Sequence, residues 1–211
     1  MQCKKFRINV VKKISLLLLI AFLIFSGCNG NNSEKKEKLS NVFKPLDGKW
    51  QGEFKVFIDE NGQQPGIAQP QEIDFNILNK PSLKLQSVIE ATHIYSSINP
   101  YRQEGEIIDI ITKDDGSKDT IGSSAINFAE NDKLKCIVNK PSEKVIHNGK
   151  YLGNNTIIWQ RKLNNPLKIE YFKESVIDNH YKIIGWGYYG KDNPELTPRI
   201  WFYADYFKTD N

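Results

Sequence analysis

Along most of this chain, hydrophobic and polar positions alternate with a period of two, in short runs rich in Val, Ile, Thr, Tyr, Phe and Trp. These runs predict strands at Lys49–Ile58, Glu72–Leu78, Lys84–Ser96, Glu104–Lys113, Thr120–Phe128, Leu134–Asn139, Lys144–His147, Thr156–Leu163, Leu167–Val176, Tyr181–Tyr189 and Ile200–Phe207. Turn-forming residues separate them: Asn61-Gly62, Asp115-Gly116, Asn131-Asp132, Asn148-Gly149, Gly153-Asn154, Asn164-Asn165-Pro166 and Asp178-Asn179. No long helical period and no internal repeat interrupts the series. Roughly ten strands joined by short links make an antiparallel meander, and closure would remove its two unpaired edges. The expected fold is therefore all-β, a single up-and-down β-barrel spanning residues 41–211.

The alternation also sorts residues by face. In Thr156–Leu163, Ile157, Trp159, Arg161 and Leu163 form the more apolar side, which should point inward and carry Arg161 with it. In Tyr181–Tyr189 one side offers Ile184, Trp186 and Tyr188, and the other Gly185 and Gly187. Both sides of Ile200–Phe207 carry aromatics, so that run assigns no interior.

The first 27 residues follow another pattern. Lys4, Lys5, Arg7, Lys12 and Lys13 precede an apolar run from Ile14 to Phe25, then Ser26, Gly27 and Cys28. A basic start, a short apolar centre and small residues before a cleavage point mark an export signal. The run falls short of the roughly 20 apolar residues that a spanning helix needs. A Cys after small residues resembles the lipobox of bacterial lipoproteins. That resemblance implies cleavage of residues 1–27 and a diacylglycerol-modified, acylated Cys28 anchoring the protein in a membrane. Phe25 stands where that pattern prefers Leu. Residues 28–40, polar and charged, then read as a flexible tether. Asn29 is not the Asp that signals inner-membrane retention in enteric bacteria, so the expected site is the cell envelope, with the outer membrane favoured.

Removing the leader changes the charge argument. Of 29 Lys and Arg against 25 Asp and Glu, five basic residues lie in the leader, leaving 24 against 25. The net charge of +4 therefore does not describe the mature chain, and a nucleic-acid partner is not expected. With Cys3 removed and Cys28 lipidated, Cys136 has no disulfide partner and is expected to be buried in its strand.

The segment Leu46-Asp47-Gly48-Lys49-Trp50-Gln51-Gly52 resembles the opening of a calycin barrel: lipocalins begin their first strand with Gly-x-Trp, and nitrobindin-like proteins with Gly-x-Trp-x-Gly. The resemblance covers residues 41–211. It implies that Gly48 and Gly52 let the entering chain turn, that Trp50 plugs the narrow end, and that a basic side chain stacks on it, here Lys208. The chain departs from lipocalins in strand number and in stopping soon after Phe207. It departs from fatty-acid-binding proteins in having Pro65, Gly66 and Pro70 where they carry a helical lid. No His stands near its end for haem, so no cofactor is carried over.

Catalytic chemistry finds little support. His93, His147 and His180 show no metal-ligand spacing, and no Gly-x-Ser-x-Gly elbow is present. Glu170 and Glu174 share a strand face, a spacing that permits acid–base work without requiring it. Asp114 to Asp119 reads as a hairpin turn, lacking the distant acid of a calcium loop. The expectation is a non-enzymatic, monomeric lipoprotein whose barrel binds a small apolar or amphipathic ligand. Arg161, Trp159, Trp186, Tyr188 and His93 are the candidate contacts. The alternative is a filled barrel whose outer face binds a glycan or another envelope protein.

Overall fold

The computed structural model describes residues 39–66 and 75–209; the leader, Cys28 and most of the expected tether lie outside the described residues. The strands are β1 (Gly48–Asp59), β2 (Leu83–Asn99), β3 (Arg102–Thr112), β4 (Lys118–Glu130), β5 (Lys133–Asn139), β6 (Lys144–Gly153), β7 (Thr156–Asn164), β8 (Leu167–Ile177), β9 (His180–Tyr189) and β10 (Ile200–Thr209). Each pairs antiparallel with its chain neighbours, and β10 closes on β1 from Lys49↔Thr209 to Ile58↔Ile200. The expected ten-stranded up-and-down barrel is the observed fold. Two-residue turns at Asn131-Asp132 and Asn154-Asn155 hold both central residues at positive φ, where Asn and Asp are tolerated best.

Two expectations are corrected. The described part of the run Glu72–Leu78 lies in a 3-10 turn, Phe75–Asn79, and not in a strand. Since β1 pairs directly with β2, an extra strand between them would have no ladder to join. The predicted turn at Asn148-Gly149 lies instead within β6, which runs on to Gly153. Gly149 is opposite Trp159, whose ring fills the space a side chain there would need. This glycine serves packing rather than a turn.

Register identifies the interior. Trp50, Ala91, Tyr95, Ala125, Val176, Tyr181, Ala204 and Tyr206, from β1, β2, β4, β8, β9 and β10, form one buried cluster. Residues in step with them along each strand point inward. A second cluster of Ile169, Tyr171, Ile184, Trp186, Tyr188 and Trp201 has the opposite parity and lies on the outside of β8–β10. Ile77, from the segment linking β1 to β2, and Leu83, at the start of β2, pack against it, and the Tyr188 hydroxyl donates to the Leu196 carbonyl at 2.6 Å.

Candidate functional site

One end of the barrel is sealed. The segment before β1 folds across it, burying Val42, Phe43 and Leu46. Phe43 stacks on Trp159 with ring centres 6.5 Å apart, and the Trp50 Nε1–H donates to the Leu46 carbonyl at 2.7 Å. The Gln103 amide donates to the Phe43 carbonyl and to Asp47 Oδ1, both at 2.8 Å, and accepts from Asn127 at 3.0 Å. Burial works against the Asp47 charge, but hydrogen bonds from Lys44, Gln103 and Ser97 prevail and hold its carboxyl below the usual range.

Gly48 and Gly52 flank this seal. Gly48 takes φ +118°, and a side chain at Gly52 would meet the Asp205 carbonyl and Tyr206 of β10. Trp50 sits between His93 and Lys208 on the adjoining strands, with the Lys208 ammonium 5.3 Å from its ring centre.

Above the seal lies a polar floor. Glu174 accepts from the Tyr181 hydroxyl at 2.6 Å and from the Trp159 indole N–H. Burial raises its pKa, and those two donors only partly oppose the rise. His93 contacts the Tyr95 hydroxyl at 3.4 Å and the Tyr206 ring at 4.7 Å, and burial lowers its pKa to about 4. Cys136 also faces inward, and burial pushes its thiol pKa up, which keeps it protonated.

Toward the opposite end the wall is apolar and reached by solvent. Phe54, Val56, Ile89, Ile107, Ile121, Val138 and Phe172 all have inward parity, yet each is only half-buried. Phe54 packs on Phe202 at 5.7 Å and Phe202 on Phe172 at 5.2 Å, a band of rings across β1, β10 and β8. The lower interior is full and the upper interior is a cup.

A charged network stands on one side of that cup. Arg161, 7% exposed, donates to Glu143 Oε2 at 3.0 Å and to Glu170 Oε2 at 3.5 Å. Glu170 also receives His147 Nε2 at 3.3 Å and the Tyr189 hydroxyl at 2.9 Å, while Lys168 approaches Glu143 at 3.5 Å. Burial opposes the Glu170 charge, and the His147 and Tyr189 hydrogen bonds with the Arg161 charge outweigh it, so its pKa falls.

The structure thus divides the residues proposed as ligand contacts. Arg161, Trp159 and His93 face the interior, although Trp159 and His93 belong to the packed floor. Trp186 and Tyr188 lie outside the barrel, a correction to their expected place in a cavity. The interior face of β9 is the glycine one, because the rings of Phe172 and Tyr189 occupy the space beside Gly185 and Gly187. Sequence reasoning missed Glu143, which lay in a turn, His147, at a strand end, and Asp109, one of several residues in an Ile-rich run.

Arg161 is no free anchor. Its replacement by Met is expected to destabilise the protein by about 1–2 kcal/mol, the usual scale for leaving a buried carboxylate one partner short. Glu170 keeps His147 and Tyr189, which limits the loss. Urea unfolding measures it, and an unchanged midpoint would show that the network contributes nothing.

No family model matches the chain, and no curated protein matches it. Among solved structures, a redesigned β-barrel aligns over 82% of this chain and 98% of its own, at 11% identity and a TM-score of 0.36. Among the described residues, no group of three or more His, Cys, Asp or Glu is placed to hold a metal ion.

Proposed function

We propose that the chain is an envelope lipoprotein, anchored through Cys28, whose barrel takes up a small apolar or amphipathic molecule at its open end. One observation carries the binding reading: the barrel is sealed and filled at one end, while inward apolar side chains of the other half stay half-exposed. Apolar surface lining a concave site with few polar groups is what a small-ligand pocket requires. The leader and the Ser26-Gly27-Cys28 junction support the anchor, and two acyl chains would give stable attachment where one is marginal.

Both halves are tested on the full chain. Labelled palmitate should enter the wild type and be lost in Cys28→Ser; an unlabelled, soluble wild-type product would reject the anchor. The neutral dye N-phenyl-1-naphthylamine should brighten on mixing with the protein. Ile107→Trp, which fills the cup, should weaken that binding by about tenfold or more. A wild type that neither binds the dye nor carries a co-purifying small molecule would favour a filled, structural barrel.

A further inference from the structure

We propose that the molecule taken up by the barrel bears a positive charge, an amine or quaternary ammonium on an apolar body, and that Asp109 receives it. This rests on reading the barrel as a binding cup. Asp109 lies on β3, paired in register with the inward Ala91 and Ile121 and flanked by Ile107 and Ile111. No hydrogen bond or ion pair reaches it among the described residues; Lys140 acts on it only from longer range. Burial in this apolar setting raises its pKa, and Lys140 only partly offsets the rise.

The other acids that face inward are provided for. Glu170 has Arg161, His147 and Tyr189, Glu174 has Trp159 and Tyr181, and Asp119 has Lys113 at 2.9 Å. Most cations are committed as well: Arg161 to Glu143 and Glu170, Lys168 to Glu143, Lys113 to Asp119, and Lys208 to the Trp50 ring at the sealed end; Lys140, exposed just beyond β5, is the cation whose charge reaches Asp109, from longer range. Among the described residues Asp109 is thus the inward-facing acid without a hydrogen bond or ion pair, and a bound cation would supply the direct partner that Lys140 does not. A lone carboxylate on an apolar wall is costly to keep, and such groups concentrate where a ligand or reaction uses them.

Two further features suit a cation. Along the row Tyr206–Gly52–Ala91–Asp109 the two middle positions are the smallest residues available, and the Tyr206 ring packs over Gly52 within reach of the carboxylate's charge. The ring band of Phe54, Phe202 and Phe172 offers π faces on the neighbouring wall, and cations bind such faces.

The test compares octyltrimethylammonium, octanol and octanoate, each below its micelle concentration, by calorimetric titration into the full chain. The wild type should bind the cation about tenfold or more tighter than octanol, with octanoate weakest. Asp109→Asn, nearly isosteric and relieved of a poorly solvated charge, should stay folded. It should lose about tenfold or more in affinity for the cation and bind octanol unchanged. Asp109→Glu should retain the preference. A wild type that prefers octanoate, or an Asp109→Asn protein that still prefers the cation, overturns the assignment. Binding of octanol with no gain for the cation overturns the charge reading and leaves the cup intact. Failure of all three compounds to bind rejects the cup and this proposal with it.

Discussion

Replacing Trp50 with alanine is expected to cost the fold about 3–5 kcal/mol, the range for deleting a fully buried large aromatic. Trp50 is 0% exposed and sits where β1 meets both β2 and β10, the place where the barrel closes. Its ring meets Tyr181 edge-on at 5.8 Å, and its indole N–H satisfies the Leu46 carbonyl of the segment that seals the barrel. Truncation leaves a cavity among packed rings, an unpaired buried carbonyl and no platform for Lys208, three losses that fall on one closure point. Trp50→Phe, which keeps a ring but not the N–H, should lose about 1–2 kcal/mol. Urea unfolding of the three proteins separates packing from the hydrogen bond. A Trp50→Ala protein within about 1 kcal/mol of wild type would show that the plug is dispensable.

Why the barrel was legible and parts of its interior were not follows from what alternation reports. A period of two shows that a face is buried; it does not say which side of the sheet does the burying. In β7 the two coincide: Ile157, Trp159 and Arg161 are apolar enough as a face to be read as inward, and they are. In β9 they diverge, because the segment after β1 covers the outside of β8–β10 and makes a second apolar layer there. Ile184, Trp186 and Tyr188 satisfy that outer layer, while the inner positions between them are Gly185 and Gly187, beside the rings of Phe172 on β8 and Tyr189 on β9 itself. Only the long-range placement of Ile77 and Leu83 distinguishes the two sides, and no local pattern contains it. Asn148-Gly149 shows the same limit for turns: the dipeptide fits a hairpin, but the Trp159 ring across the ladder needs the glycine for space.

The site was harder to read for a related reason. Asp109 stands in the run Ile107-Ile108-Asp109-Ile110-Ile111, apolar on both faces, so its parity had no contrast to reveal it. Arg161 was legible as an inward charge, and Glu170 only as a carboxylate sharing a strand face with Glu174. Glu143 was not, since it reaches Arg161 from the β5–β6 turn. Polar groups met by partners on distant loops leave no spacing to find.

The remaining large effect concerns acid. His93 is buried in the floor among Tyr95, Tyr181 and Tyr206, with its folded pKa lowered to about 4 from the ordinary imidazole value of 6.5 by loss of hydration. A histidine whose folded pKa is depressed contributes stability that is fully present above its unfolded value and is lost as pH falls toward the folded one. The window here runs from about 6.5 down to about 4, and at 1.36 kcal/mol per unit the loss amounts to about 3 kcal/mol. Other groups work in the opposite sense. Glu174 and Asp109 have raised folded pKa values, so their protonation on acidification favours the folded state. Glu170, with a lowered value, adds a loss only below its ordinary range. Wild type alone would therefore mix these contributions. Comparison with His93→Gln, which stays neutral at every pH and keeps a hydrogen-bonding group near Tyr95, removes the common background. Between pH 7 and pH 4 the wild type should lose about 3 kcal/mol more unfolding free energy than the variant, measured by urea titration at each pH. Parallel curves for the two proteins would mean that His93 is hydrated, or partnered when charged, in the folded state. The sealed floor would then have to admit water.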